Sequence, residues 1–342
     1  MTSRLACSMF LGIFRKPFSR KESVRFQKAI ADDYDLFPGR AAIILEANNS
    51  LLFCSPCSRQ NREFDPTKSG GYPLLFLDGF TGNQKSAKSF GLKAIEIGRV
   101  VKDALPTFKH LNGSWAAAYV DDVREKITLG RDIAGAQSVY YALRNNIFYF
   151  TSSLTCFRKL GFPISQDAVC DFLHYLYVPA PATIYAMVQS VQPGQTVAFD
   201  GEKLQFDNLP RKNFQTKNNP APIEISESKL LSSFEEHLKH SIQRSCAGAK
   251  RIGLFLSGGK DSSSIAVAVK ECGLNNVHAI TIGFDEKNID ETKDAKVVAY
   301  HLGLPFRQLR FSRETYLKYW PDLIRRIGQP FGDSAALAVT QA

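Results

Sequence analysis

A short segment rich in serine and glycine has the residue types and spacing to bind a phosphate group. It reads Ser257-Gly258-Gly259-Lys260-Asp261-Ser262 and follows the apolar run 252–256. Glycines permit a tight turn with close backbone approach to a ligand, and a helix that begins after the turn presents backbone N–H groups to an anion. The Walker A spacing is missing. We therefore predict a phosphate site, with a simple strand-to-helix turn capped by Asp261 as the alternative.

The pattern around this segment predicts where it lies in a fold. Strand-like apolar runs at residues 252–256, 278–284 and 306–311 alternate with helical patterns at residues 260–271, 290–302 and 314–327. Such alternation is typical of a parallel, doubly wound α/β sheet, in which ligands bind beyond the carboxyl ends of the strands. The pattern stops after three units at Ala342, so we expect this domain to be incomplete.

The first part of the chain has a different pattern, which predicts many short strands. The clearest runs are apolar or β-branched, and they lie at residues 5–14, 41–45, 74–77, 115–120, 126–129, 147–150 and 196–206. The pairs Asp121-Asp122 and Asn145-Asn146 are typical hairpin turns. Helical patterns occur at residues 92–105 and 166–177. This part is therefore predicted to be an α+β domain with antiparallel sheets.

A linker separates the two patterns. Residues 209–225 contain three prolines and an Asn-Asn pair and have almost no apolar periodicity. An amphipathic helix is predicted at residues 226–244, with Ser226 as its cap. The predicted division is therefore a domain at 1–208, a linker at 209–225 and a second domain at 226–342.

Composition excludes several classes of protein. The chain has 342 residues, of which 44% are hydrophobic and 22% charged, as in globular domains. No apolar run approaches the roughly 20 residues that cross a bilayer, so no membrane partner is expected. The net charge of +10 is spread along the chain, which does not favour nucleic-acid binding.

The seven cysteines are odd in number and irregularly spaced, which indicates a reducing, cytoplasmic location without a disulfide framework. Cys54 and Cys57 form the one close pair that suggests zinc or redox chemistry. A zinc site would need a second pair of ligands, and the sequence does not supply one.

The serine- and glycine-rich segment resembles the PP-loop motif of ATP pyrophosphatases, Ser-Gly-Gly-x-Asp-Ser. The resemblance implies that ATP is cleaved between its α and β phosphates. Asp261 would then be catalytic and would bind Mg²⁺ on the departing pyrophosphate. The residues that would contact ATP or pyrophosphate are Leu256, Ser257, Gly258, Gly259, Ser262, Ser263, Thr281 and Gly283.

An ordered series of motifs resembles the asparagine synthetase family. It comprises Leu111-Asn112-Gly113-Ser114-Trp115-Ala116, Gly130-Arg131-Asp132, Tyr140-Tyr141, Pro193-Gly194 and Asp290-Glu291. The resemblance covers roughly residues 70–342. It implies an Ntn-type glutaminase-like domain followed by a PP-loop synthetase domain. That domain would convert a carboxylate such as aspartate into an acyl-adenylate, which ammonia or another amine attacks.

The glutaminase chemistry of this family needs a cysteine at the mature N-terminus, activated by its own α-amine. Cys7-Ser8-Met9-Phe10 resembles the family's Cys-Ser-Ile-Phe opening, but six residues precede Cys7. We therefore expect a non-hydrolysing domain, with Cys7 as the candidate nucleophile should glutamine be used. Relatives resembling β-lactam synthetase and the lasso-peptide macrolactam synthetases use an internal amine instead.

A second departure concerns the synthetase part. The family's later Leu-Ser-Gly-x-Gly-x-Asp-Glu segment and its catalytic lysine do not occur before Ala342. A missing C-terminal segment, a partner such as a second copy in a homodimer, or loss of activity would each account for this. Four hypotheses stay open: an asparagine synthetase-type ligase, a macrolactam synthetase, a non-catalytic nucleotide-binding remnant, and a PP-loop enzyme acting on tRNA, which the glutaminase-like part disfavours. The acid and the amine donor are not predicted.

Overall fold

The chain folds into two compact units. In a computed structural model the described residues are 9–14, 43–47, 50–55, 74–81, 108–109, 111, 113–121, 124–209, 226–285, 290–333 and 335–337. Unit 1 comprises Met1–Asn83, Phe90–Phe214 and Ile324–Gly332, and unit 2 comprises Gln84–Ser89, Gln215–Leu323 and Asp333–Ala342. None of the described helices has both the length and the apolar character needed to cross a bilayer.

Unit 1 contains two antiparallel sheets. Its strands are β1 (Met9–Phe14), β2 (Ile43–Ala47), β3 (Ser50–Ser55), β4 (Leu74–Thr81), β5 (Gly113–Asp121), β6 (Lys126–Arg131), β7 (Tyr140–Arg144), β8 (Ile147–Thr151), β9 (Val188–Ser190), β10 (Gln195–Phe199) and β11 (Leu204–Asn208). One sheet has the order β2-β3-β1-β8-β7-β9 and the other the order β11-β10-β6-β5-β4. The antiparallel sheets confirm the fold predicted for this part of the chain.

The two sheets share a core. Phe148 of β8 stacks on Phe199 of β10 with ring centroids 5.1 Å apart, and both are almost fully buried. All five residues of β8 are buried. Strand side chains alternate between faces, so Ile147 and Tyr149 pack on the other side of the sheet, in a second cluster. This cluster contains helix residues, so β8 lies between a sheet and a helical layer.

Two described helices of unit 1 form that layer, α1 (Thr155–Lys159) and α2 (Gln166–Tyr175). The Ser165 side chain accepts a hydrogen bond from Ala168 N and caps α2, which ends at Leu176 with a φ of 63°. Residues 324–332 belong to this unit too. There Gly332 N donates to Leu176 O at 2.8 Å, and Ile184 N donates to the Gln329 side-chain oxygen at 3.3 Å.

The Gly130-Arg131-Asp132 motif has a structural role in unit 1. The Asp132 side chain is 1% exposed, and its carboxylate accepts hydrogen bonds from the backbone N–H groups of Trp115, Ala136 and Gln137, each at 3.1 Å. Arg131 Nε donates to the Gln137 carbonyl oxygen at 2.5 Å. Backbone N–H groups away from water need hydrogen-bond acceptors. The Asp132 carboxylate is that acceptor for the connection that follows β6.

The predicted elements of unit 1 agree with the structure where it is described. Asn145 and Asn146 have φ values of 53° and 62°, as a hairpin turn of the primed type requires. The sequence did not predict β3, β9 or α1, and it implied β7 only as the first strand of the Asn145-Asn146 hairpin. It extended α2 by two residues because nothing local marks the left-handed conformation of Leu176. The helix predicted at residues 92–105 lies outside the described residues.

Unit 2 is built on a parallel sheet. Its elements are α3 (Glu227–Cys246), β12 (Ile252–Phe255), α4 (Lys260–Glu271), β13 (Val277–Phe284), α5 (Thr292–His301), β14 (Phe306–Phe311) and most of α6 (Arg313–Ile327), whose residues 324–327 are assigned to unit 1. The strand order is β12-β13-β14, with parallel pairing throughout. The predicted alternation is confirmed. The described strands follow the chain in one direction, so double winding of the sheet remains a prediction.

One face of this sheet carries the core of unit 2. Val277 and Ala279 of β13 are buried, in one cluster with apolar residues of α4 and α5. Right-handed crossovers between strands laid down in one direction place both connecting helices on the same face. Phe255, on the opposite face, is therefore 46% exposed. The apolar run at 252–256 therefore forms a strand that is buried on one face only.

Two details of α3 also differ from the prediction. Ser226 occupies the cap position, but its side chain makes no capping hydrogen bond to the helix backbone. Ile242 is buried, whereas Leu230, Leu231 and Phe234 are 58%, 55% and 59% exposed. Among the described residues, therefore, only the C-terminal half of the apolar face of α3 is packed against the rest of unit 2.

Candidate phosphate-binding site

The serine- and glycine-rich loop leaves the carboxyl end of β12. Leu256 N donates to Ile280 O at 2.9 Å, which extends the parallel pairing one residue past the strand. The Leu256 side chain is 2% exposed and lies in the core of unit 2. Its predicted contact with ATP is therefore limited to main-chain atoms. Its role in the structure is to fix the position at which the loop begins.

Hydrogen bonds among three residues close the loop into a compact turn. The hydroxyls of Ser257 and Ser262 lie 2.9 Å apart, and Ser257 N donates to the Ser262 hydroxyl at 3.2 Å. Gly259 N donates to the Ser257 hydroxyl at 3.2 Å. Helix α4 begins at the next residue. The first backbone N–H groups of a helix lack partners within it, so the turn and the start of α4 together provide donors for an anion.

Gly258 is the position that only glycine can fill. Its φ of +84° is a conformation that other residues rarely adopt. A Cβ atom here would lie 2.6 Å from Asp294 Cβ and 2.8 Å from Ala295 N. Asp294 and Ala295 belong to the first turn of α5, which therefore forms the wall behind the loop.

The side-chain hydroxyl of Ser263 is buried without a hydrogen-bond partner among the described residues. A buried polar group without a partner costs roughly 1–3 kcal/mol, and such groups in native structures call for a specific explanation. A bound anion would supply the missing acceptor. This hydroxyl lies in the first turn of α4, within the segment predicted to bind phosphate.

Asp261 lies in the first turn of α4 and is exposed. Among the described residues no group of three or more His, Cys, Asp or Glu side chains could hold a metal ion. Mg²⁺ commonly binds one or two carboxylates and takes its remaining ligands from phosphate oxygens and water. One accessible carboxylate beside a phosphate-binding loop fits that mode of binding, so Asp261 could hold Mg²⁺ together with a nucleotide.

Thr281 and Gly283, the two predicted contacts on β13, lie on the side of the sheet that faces the helices. Thr281 is 3% exposed. At Gly283 a Cβ atom would lie 2.8 Å from Thr292 Oγ1 and 3.3 Å from Asp290 Oδ1. Only main-chain atoms of these two residues could reach a ligand. The amide of Gln308 also lies against Gly283. This contact was not predicted, because strand partners distant in sequence cannot be paired from one sequence alone.

Asp290 marks the start of α5. Its carboxylate accepts hydrogen bonds from Thr292 Oγ1 and, at 3.1 Å, from Thr292 N. These hydrogen bonds lower the pKa of Asp290, because they stabilise the charged form. Glu291 is exposed. Asp290 and Glu291 are acidic residues that directly precede α5. The candidate nucleophile Cys7 lies outside the described residues, as does Cys57.

Comparison with known protein families matches both parts of the chain. The model described as "Asparagine synthase" matches residues 233–340, a region that includes the serine- and glycine-rich loop. The model described as "Glutamine amidotransferase domain" matches residues 102–209. The two matches follow one another in the order that the motifs predict.

Individual relatives are similar at low identity. Asparagine synthetase [glutamine-hydrolyzing] 1 of Bacillus subtilis is 28% identical over 211 residues, which cover 60% of this chain and 32% of that protein. Putative asparagine synthetase [glutamine-hydrolyzing] 2 of Methanocaldococcus jannaschii is 26% identical over 231 residues, which cover 66% of this chain and 44% of that protein. The chain thus spans less than half the length of these curated relatives.

Proposed function

We propose that this chain, whose two parts match the asparagine synthase and glutamine amidotransferase models and which is similar to asparagine synthetases, takes part in ATP-dependent formation of a carbon–nitrogen bond. In the proposed reaction a carboxylate oxygen attacks the α-phosphorus of ATP, the bond to the β-phosphate side breaks, and pyrophosphate leaves. An amine then attacks the acyl carbon of the acyl-adenylate, AMP leaves, and an amide remains.

The observation that carries this proposal is the buried hydroxyl of Ser263, which has no hydrogen-bond partner among the residues that the structure describes. It lies at the start of a helix whose preceding turn is shaped by Gly258 and tied by Ser257 and Ser262. Positively polarised N–H groups at a helix N-terminus stabilise negative charge. Charge develops on the departing pyrophosphate, so donors fixed in advance around it would lower the barrier to its departure.

The residues of the loop have separate roles in this proposal. Ser257, Gly259, Ser262 and Ser263 bind the pyrophosphate part of ATP. Asp261 holds Mg²⁺, which when bound neutralises charge on the phosphate oxygens. Leu256 and Gly283 contribute main-chain atoms at the rim of the site. Double winding of the sheet is part of this proposal.

The amine donor is the second part of the proposal. The glutamine amidotransferase match over residues 102–209 supports ammonia released from glutamine, and Cys7 is the residue to test as its nucleophile. An amine within the substrate, as in a β-lactam or macrolactam synthetase, is the alternative.

Pyrophosphate release tests the proposal. The chain is incubated with ATP, Mg²⁺ and a panel of carboxylic acids that includes aspartate, with glutamine, with ammonium or with neither. We expect acid-dependent release of pyrophosphate and AMP. Release of glutamate that Cys7→Ser abolishes would support glutamine as the donor, whereas amide formation without glutamine or ammonium would support an internal amine. ATP binding without pyrophosphate release from any acid would instead indicate a non-catalytic nucleotide-binding protein.

A further inference from the structure

A chain of hydrogen bonds links the end of the sheet in unit 2 to the start of α5. Gln308 Nε2, on β14, donates to Thr292 Oγ1 at 3.3 Å, and Thr292 Oγ1 donates to the Asp290 carboxylate. The direction is fixed, because an ionised carboxylate can only accept and a hydroxyl has a single hydrogen to donate. The Asp290 carboxylate also accepts from Thr292 N at 3.1 Å. We call Gln308, Thr292 and Asp290 the positioning chain.

Strand β13, which neighbours β14, leaves space for the side chains of the positioning chain. Gly283 of β13 pairs with Arg310 of β14 in the parallel sheet, and it lies beside the Gln308 amide. A Cβ atom at Gly283 would lie 2.8 Å from Thr292 Oγ1 and even closer to the Gln308 amide nitrogen. Any larger residue at Gly283 would displace the side chains that make the hydrogen bonds.

The same helix turn supports the phosphate-binding loop. Thr292 is 8% exposed and opens α5, and Asp294 and Ala295 follow within that turn. These two residues form the wall against which Gly258 lies. A Cβ atom added at Gly258 would lie 2.6 Å from Asp294 Cβ and 2.8 Å from Ala295 N. Because packed interiors transmit displacements rather than absorb them, a shift of the first turn of α5 would shift the loop.

We propose that Gln308, Thr292 and Asp290 are positioning residues that hold the first turn of α5 against Gly258 and thereby set the shape of the pyrophosphate-binding loop. The inference rests on the proposed function of that loop. Asp290 accepts the Thr292 N–H at 3.1 Å, next to the start of the helix. The additional link from Gln308 ties the helix start to β14, so the position of α5 becomes tied to the carboxyl end of the sheet.

The test compares the affinity for ATP with Mg²⁺ of wild type, Thr292→Val, Thr292→Ser and Gln308→Leu. Gln205→Leu, an exposed glutamine on β11 of unit 1, is the matched control. We expect Thr292→Val and Gln308→Leu each to weaken ATP binding about fivefold to tenfold, the range expected for one lost hydrogen bond. Thr292→Ser, which keeps the hydroxyl, should restore affinity to within about twofold of wild type, and Gln205→Leu should bind as wild type does.

The results separate this inference from the proposed function. Wild-type protein that fails to bind ATP would overturn the proposed function, and the inference with it. Wild-type binding that Gln308→Leu leaves unchanged would overturn the inference alone. Failure of Thr292→Ser to restore binding would also overturn it, because the methyl group rather than the hydroxyl would then matter. Since Gln308 is exposed, Gln308→Leu decides the question even if Thr292→Val does not fold.

Discussion

Asp261→Asn is expected to reduce ATP-dependent pyrophosphate release by a factor of about 100 or more. Asp261 is exposed in the first turn of α4, directly after the Gly258-Gly259 bend. An amide of the same size cannot replace a carboxylate as a ligand of Mg²⁺ on the departing pyrophosphate. Pyrophosphate release with the best acid of the panel measures the effect, and circular dichroism checks that the fold is retained.

The matched control for this variant is Glu314→Gln. Glu314 is an acidic residue in the first turn of α6, so its loss removes the same favourable interaction with a helix N-terminus, about 0.3–1 kcal/mol. We expect this variant to release pyrophosphate at the wild-type rate. Turnover by Asp261→Asn at that same rate would remove Asp261 from the mechanism and with it the proposed metal site.

Gly258→Ala is expected to weaken the affinity for ATP by a factor of about 100 or more. A left-handed conformation costs a residue with a Cβ atom roughly 1–2 kcal/mol. The Cβ atom would also lie 2.6 Å from Asp294 Cβ and 2.8 Å from Ala295 N, and the latter is backbone that cannot swing away. The loop or α5 must therefore move. Equilibrium titration with ATP and Mg²⁺ measures the result.

Gly273→Ala separates backbone strain from the steric conflict at Gly258. Gly273 has a φ of +64°, but a Cβ atom there would meet nothing within 4 Å. We expect this variant to lose about 1 kcal/mol of stability and to bind ATP as wild type does. If Gly258→Ala bound ATP as tightly as Gly273→Ala, the wall formed by α5 would not shape the site.

Local sequence patterns predicted much of unit 2. The alternation of apolar runs with helical periodicity identified β12, β13 and β14 and the helices between them, because each pattern depends on neighbouring residues only. The loop 257–262 was identified for the same reason, since its glycines, serines and acidic residue are adjacent in sequence. In unit 1 the Asn145-Asn146 pair likewise marked its hairpin correctly.

Features that depend on distant partners were not predictable. Nothing near Gly258 in sequence indicates that Asp294 lies behind it, and nothing near Thr292 indicates that Gln308 donates to it. The exposure of Leu230 was missed because periodicity shows an apolar stripe but not which part of it finds a partner. The docking of Gly332 on Leu176 was missed for the same physical reason.

The Gly130-Arg131-Asp132 motif shows the limit of reading single motifs. Its sequence alone did not separate a turn from a functional site. The structure shows that the buried carboxylate of Asp132 accepts hydrogen bonds from three backbone N–H groups, which is a structural role.

The measurement that bears most directly on the loop is the affinity for ATP of Ser263→Ala beside that of Ser264→Ala, with thermal unfolding of both. The Ser263 hydroxyl is buried and unpartnered within the described residues, whereas the Ser264 hydroxyl donates to Lys260 O at 2.8 Å and its residue is exposed. We predict that Ser263→Ala binds ATP about tenfold more weakly while its stability stays equal or rises by about 1 kcal/mol, and that Ser264→Ala binds as wild type does. Equal affinity of the two variants, or a Ser263→Ala protein that is less stable and still binds ATP fully, would contradict a pyrophosphate-binding role for this loop.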